Sequence, residues 1–112
     1  MENGIYAAFV SGKAGQGLAL LAFLDGAVAG ADASGVVYEG QYDNLPNGRV
    51  KGVLVTNAPA NIVLVQGVHT GSEGMRTELP FEFEQGFEQA PFFPIQTPLG
   101  LINVKLKKLR AL

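Results

Sequence analysis

Three features of the sequence predict an all-β fold. The apolar runs are short, turn residues separate them, and no stretch carries helical periodicity. The chain has 112 residues, the size of one domain with its own core, so residues 1–112 are read as one unit. About eight short strands joined mostly by turns predict a small antiparallel up-and-down barrel or a sandwich. Closure is favoured because it removes exposed strand edges.

The strands follow in order. Residues 5–10 form the first, closed by Ser11-Gly12 and a glycine-rich turn through Gly17. Residues 18–24 form the second, too short a run for a typical globular helix. Asp25-Gly26 is the strongest hairpin signal, because a type I′ turn needs two residues at positive φ. A short strand over 27–31 follows, then one over 36–42. There Tyr38, Gly40 and Tyr42 share one face and Val37, Glu39 and Gln41 the other.

Residues 43–48 are dense in turn formers, each with its own mechanism. Strands are then predicted over 49–56, 62–68 and 75–83, the last interrupted or at an edge near Pro80. Between them Pro59 breaks any central ladder, and 69–74 is a polar loop. Over 84–100, Pro91, Pro94 and Pro98 exclude a regular helix, and a short strand near 92–96 is expected. Residues 101–109 alternate most cleanly: Ile102, Val104 and Leu106 face a core while Asn103, Lys105 and Lys107 face water.

Composition narrows the function classes. There is no cysteine, hence no disulfide framework, thiolate metal site or cysteine nucleophile. The net charge of −2 argues against direct nucleic-acid binding, which relies on neutralising many phosphates. Lys105, Lys107, Lys108 and Arg110 nevertheless cluster near the C-terminus, where they either form a solvated strand face or meet an acidic partner. The apolar run 18–24 mimics a signal-peptide core, but its poor positive flank and the turn at Asp25-Gly26 argue otherwise. It is far too short to span a bilayer. The expectation is a soluble cytoplasmic protein without membrane insertion.

No catalytic constellation emerges. The segment 12–17 resembles a phosphate loop, but its lysine comes early and a strand follows it where a helix is needed. His69, the sole histidine, lacks an identifiable nucleophile or further metal ligands. Glu82 and Glu84 alternate with Phe81 and Phe83 at period two, the pattern of a strand with one wet face rather than a carboxylate pair poised for catalysis. Glu78 and Glu88 extend that acidic run, and Phe87, Phe92 and Phe93 extend the aromatic one. Phe92 and Phe93 are a candidate dimer patch, since large apolar patches mark interfaces. No enzyme activity, cofactor or metal is expected.

One further pattern concerns order and spacing. Asn3-Gly4-Ile5-Tyr6 opens the chain and Gly15-Gln16-Gly17 starts the second strand. Asp25-Gly26 and Gly30-Ala31-Asp32 follow, then Tyr38-Glu39-Gly40-Gln41-Tyr42. Over residues 3–42, and loosely again over 100–109, this resembles the GrlR-like family of small bacterial lipocalin-like barrels, named for a negative regulator of type III secretion genes. The resemblance implies an eight-stranded lipocalin-like barrel, a homodimer and no enzyme activity. It also implies capture of a protein such as a transcriptional activator, through a loop whose place is held here by Asp43, Asn44, Leu45 and Pro46. The family's barrel can admit an apolar small molecule. Parity then turns Tyr6, Ala8, Val10, Tyr38 and Tyr42 inward, and the last strand adds Val104 and Leu106. Two functions are therefore expected to compete: a protein-interaction module, and a carrier of an apolar ligand whose hydroxyl contacts would come from Tyr6 and Tyr38.

Overall fold

A computed structural model describes residues 1–84, 86, 87, 89 and 91–112. Its strands are β1 (Gly4–Gly12), β2 (Gly15–Leu24), β3 (Ala27–Asp32), β4 (Val37–Asn44), β5 (Val50–Ala58), β6 (Met75–Phe83), β7 (Phe93–Thr97) and β8 (Gly100–Ala111). All lie in one antiparallel sheet of order β6-β5-β4-β3-β2-β1-β8-β7. Each strand pairs with its chain neighbour except β6 and β7, and β8 returns to lie beside β1. The result is the predicted all-β, lipocalin-like up-and-down barrel of eight strands. It is nearly closed, with one seam where β6 approaches β7 without a ladder.

Local chemistry explains the hairpins. Asp25 and Gly26 both sit at positive φ, 49° and 88°, as a tight hairpin turn requires. Asn3 clasps that turn: its Nδ2 donates to Asp25 Oδ1 at 2.9 Å, and the Asp25 backbone N–H donates to Asn3 Oδ1 at 3.0 Å. The β1–β2 hairpin turns at Lys13-Ala14, with Gly12 opposite Gly15.

Side chains of alternating parity fill the barrel. Tyr6, Ala8, Ala19, Leu21, Phe23, Val28, Tyr42, Val50, Leu54, Leu79, Phe81, Phe83, Ile102, Val104 and Leu106 form one buried cluster. Tyr6 meets Phe23 edge to face at 5.3 Å, and Phe23 meets Tyr42 at 5.2 Å. An inward position on each of β3, β4 and β5 must be glycine, the tightest being Gly30, where a Cβ would stand 2.0 Å from the Leu20 carbonyl oxygen. A Cβ on Gly40 would stand 2.1 Å from the Val53 carbonyl oxygen, and one on Gly52 would stand 2.3 Å from that of Gln41 and 2.7 Å from the Phe81 ring. Tyr42 and Phe81 lie opposite Gly52 in the ladders, so their rings use the room its missing side chain leaves.

Aromatic side chains bridge the seam. Phe83 stacks on Phe81 at 5.8 Å and meets Phe87 at 4.9 Å and Phe93 at 5.2 Å. Phe93 comes from β7 and Phe87 from the segment that connects β6 to it.

One predicted strand is corrected. Residues 62–68 form no ladder strand; within the β5–β6 connection they make only the isolated bridge Val63↔His69. Pro59 ends β5, and Asn61, Gly67, Gly71 and Gly74 all adopt positive φ, which repeatedly reverses the chain. Thr70 ties the neck of this loop. Its hydroxyl donates to the Pro59 carbonyl at 2.7 Å and accepts from the Ile62 N–H at 3.1 Å. The loop folds onto one barrel mouth, where the Ala14 N–H donates to the Val65 carbonyl at 2.8 Å and Val65 packs on the core. The strand predicted over 92–96 is found as β7, and β6 is uninterrupted through Pro80.

Two substitutions test this account by urea denaturation. Gly40→Ala is expected to lose about 1–3 kcal/mol, because the Val53 carbonyl cannot withdraw without breaking the β4–β5 ladder. Phe83→Ala is expected to lose about 3–5 kcal/mol by leaving a cavity at the seam. Ala29→Ser, outward on β3, is expected to stay within about 0.5 kcal/mol of wild type.

Candidate functional site

The outside of the barrel divides into two chemically different sectors. On β1, β2 and β3 the outward positions are Ile5, Ala7 and Phe9; Leu18, Leu20, Ala22 and Leu24; and Ala27, Ala29 and Ala31. The ladders set them side by side: Ala7, Leu20 and Ala31 in one row, and Ile5, Ala22 and Ala29 in the next. No charged residue interrupts this face. Leu18, Leu20 and Leu24 are 49%, 50% and 47% exposed, and Phe9 is 39% exposed. Val37 on β4 extends the surface beside Ala31. A contiguous exposed apolar face of this kind marks an interaction site far more often than scattered single residues do.

The face has flanks of opposite sign. On β8, Lys107 lies opposite Ala7 and Lys105 opposite Phe9, with Arg110 opposite Ile5. On β4, Glu39 lies opposite Ala29. The other sector, on β5 and β6, carries paired charges, with Val53 exposed on β5. Arg49 Nε donates to Glu82 at 2.8 Å and its Nη1 to Glu84 at 3.0 Å, while Arg76 reaches Glu78 at 3.4 Å.

The sequence placed its candidate lining residues inside the barrel, and Tyr6, Ala8, Tyr42, Val104 and Leu106 are buried there. Val10 and Tyr38 are partly buried and packed on the same cluster. The two tyrosine hydroxyls already have protein partners. Tyr6 Oη donates to the Glu2 carbonyl at 2.7 Å, and Tyr38 Oη donates to Asp32 Oδ2 at 2.8 Å. Burial, reinforced by the Asp32 carboxylate, pushes the Tyr38 hydroxyl far above its ordinary pKa, so it stays a donor. The second mouth is crossed by residues 1–3. Met1 packs on the core, its amino group donates to Asn44 Oδ1, and Lys108 pairs with Glu2.

The remaining candidates are dispersed. Asp43 and Asn44 end β4, and Asn44 is occupied with residue 1. Leu45 starts the β4–β5 turn, its N–H donating to the Arg49 carbonyl at 2.8 Å, and Pro46 is exposed. Phe92 is 49% exposed, whereas Phe93 turns inward against the core, so the two do not share a surface. His69 is exposed in the β5–β6 loop, where its Nδ1 accepts from the Gly71 N–H at 3.0 Å. Lys13 and Ala14 form the tip of an ordinary hairpin. Glu88 lies outside the described residues. Among the described residues no group of three His, Cys, Asp or Glu side chains could hold a metal ion, and no helix is long and apolar enough to cross a membrane.

Sequence reasoning missed the β2 face. In the run Leu18 to Leu24 both parities are apolar, so the alternation that reveals a wet face is absent. The available signal was the neighbours: Ala27, Ala29 and Ala31 are small and apolar on the outward parity as well.

Comparisons of the chain with protein-family models, with curated proteins and with solved structures found no match.

The surface ion pairs predict a pH dependence. The hydrogen bond from Arg49 holds the Glu82 carboxyl below its ordinary value of 4.5, and Lys108 does the same for Glu2. The folded state therefore binds fewer protons than the unfolded state, so the stability these pairs add is complete above about pH 5 and fades as pH falls through the lowered values. Urea midpoints measured from pH 6 down to pH 2 are expected to fall less steeply for the double variant Glu2→Gln, Glu82→Gln than for wild type. The two curves should converge at the acid end.

Proposed function

We propose that this chain is a non-enzymatic protein-interaction module that holds its partner against the outer face of β1, β2 and β3. The observation that carries this reading is the uncharged exposed face around Leu18, Leu20 and Leu24, on the central strands of a barrel whose interior is occupied by its own side chains. Folding does not require those leucines to be apolar, because they point away from the core. Keeping such a face in water promotes aggregation unless something covers it.

The resemblance of residues 3–42 to the GrlR-like family supports the same class of role. By that resemblance the module is a cytoplasmic homodimer that regulates by capturing another protein, such as a transcriptional activator. The turn beginning at Asp43 is then a second contact point. The alternative, carriage of an apolar ligand, finds less support. The tyrosine hydroxyls that would orient a ligand are bonded within the protein, and aromatic rings in mutual contact take up the interior.

The test is native mass spectrometry of the protein purified from its own host, beside Leu20→Asp and Asp43→Lys variants checked for unchanged circular dichroism. Wild type is expected to retain a bound protein chain, and Leu20→Asp to lose it. Loss with Asp43→Lys alone would move the contact to the β4–β5 turn and sink the outer face. Retention of a small apolar molecule by all three proteins would favour the carrier.

A further inference from the structure

The strand beside the apolar face carries a row of cations. On β8, Lys105, Lys107 and Arg110 stand opposite Phe9, Ala7 and Ile5 of β1, and they point outward with them. Arg110 belongs to this row only because of a bulge. Leu109 has no partner on β1, and the register shifts between Tyr6 and Ile5. That extra residue moves Arg110 from the inward parity of Leu106 to the outward one, the re-aiming that a β-bulge produces.

The three cations have no carboxylate of their own. Among the described residues the ion pairs are Arg49 with Glu82 and Glu84, Arg76 with Glu78, and Lys108 with Glu2. The chain has ten acidic residues for eight basic ones, so carboxylates are not in short supply. Like charges aligned along one strand repel one another, and an anionic partner relieves that repulsion.

The floor of the site restricts the partner's backbone. Strands β1 and β2 are paired on both sides, so they offer no free N–H or C=O group. A segment lying over them must satisfy its own backbone groups, which an α-helix does internally. The spacing agrees. Outward side chains on a strand repeat every two residues, about 6.7 Å. Residues i, i+4 and i+8 of a helix repeat about every 6 Å. A helix aligned over β1 therefore sets three carboxylates along one edge against Lys105, Lys107 and Arg110. Its apolar face then lies on Phe9, Leu18 and Leu20. Ala7, between Leu20 and Lys107 in one ladder row, is small enough to let the helix approach.

We infer that the β1–β2 part of the face, with the β8 cations, receives an amphipathic helix of a partner protein that carries a row of Asp or Glu along one edge. This rests on the reading of the outer face as a docking surface and names the chemistry of its partner.

The probe is a capped helical peptide of about 18 residues, long enough to hold a helix. It carries leucine at every third or fourth position and glutamate at i, i+4 and i+8 along one edge. A second peptide has lysine at those three positions. Each is titrated into the full chain by calorimetry at low salt. The glutamate peptide is expected to bind at least about tenfold more tightly than the lysine peptide, and to weaken several-fold at high salt. Lys105→Glu with Lys107→Glu should weaken it at least about tenfold, and Lys105→Gln with Lys107→Gln by a smaller factor. Lys13→Glu with Lys51→Glu, an equal change of net charge elsewhere, should leave its affinity unaltered. Leu20→Asp should abolish binding. All variants should keep the wild-type circular dichroism.

Equal affinity for the two peptides, or an unchanged affinity in the Lys105→Glu, Lys107→Glu protein, would overturn the acidic helix. So would failure of the glutamate peptide beside binding to phosphatidylserine vesicles that the same double variant abolishes, which would assign the cations to a lipid surface. The docking reading fails separately. It survives those results if Leu20→Asp still removes a protein retained from the host, and falls if that protein stays bound.

Discussion

Strands β6 and β7 meet across a seam without a backbone ladder, and the closure of the barrel depends on what replaces it. The replacement is aromatic packing. Phe81 and Phe83 reach in from β6, Phe93 from β7 and Phe87 from the connection, with Phe83 touching the other three rings. Each buried ring contributes about 1.5–3 kcal/mol by area, and each well-placed pair adds about 0.5–1.5 kcal/mol. The two strands with a free edge are also the two strands that contain proline, Pro80 and Pro94, in keeping with the positions where sheets tolerate a missing donor. Arg76, Glu78 and Glu82 charge the outside of β6, which discourages pairing with another chain.

That division of labour makes the β2 face informative. The protein protects its true edges with charge and proline, yet leaves its central strands apolar on the outside. A central strand is paired on both sides, so no backbone hydrogen bond is at stake there. Only side-chain packing can use Leu18, Leu20 and Leu24, and the barrel interior is on the opposite parity. The exposed leucines are therefore not a by-product of closing the sheet.

Much of the fold was legible because β-structure writes its burial pattern at period two. Strand β8 alternates Ile102, Val104 and Leu106 with polar neighbours, and β6 alternates phenylalanine with glutamate. Asp25-Gly26 announced its turn through the one conformation it favours. Legibility failed where the period was absent. Ile62 to Val65 is an unbroken apolar run, and a run of that kind does not distinguish a strand from a loop segment that packs over a barrel mouth. The deciding features were backbone ones, Asn61 and the glycines at positive φ, together with the buried Thr70 at the loop's neck. The same ambiguity hid the apolar face. Leu18 to Leu24 reads as a strand buried on both sides, and only the sheet order shows that one side meets solvent. Phe92 and Phe93 drew notice by composition, but neighbours on a chain point to opposite faces of a strand.

The positions of the plugs join these threads. One mouth is covered by the β5–β6 loop through Val65, and the other by residues 1–3 through Met1, Asn3 and the Tyr6–Glu2 hydrogen bond. Gly12 shows how closely the first plug sits, since a Cβ there would lie 2.5 Å from the Val65 carbonyl oxygen. A barrel built to exchange a ligand needs at least one mouth that opens without breaking core contacts, and here both plugs carry side chains packed on the core. The outer face needs no such opening. It is preformed, uncharged and carried on strands paired on both sides, so a partner docks there without the ordering cost that weakens binding by flexible segments. On the proposed reading, recognition belongs to the outside of the barrel, while the packed interior keeps β1, β2 and β3 in register.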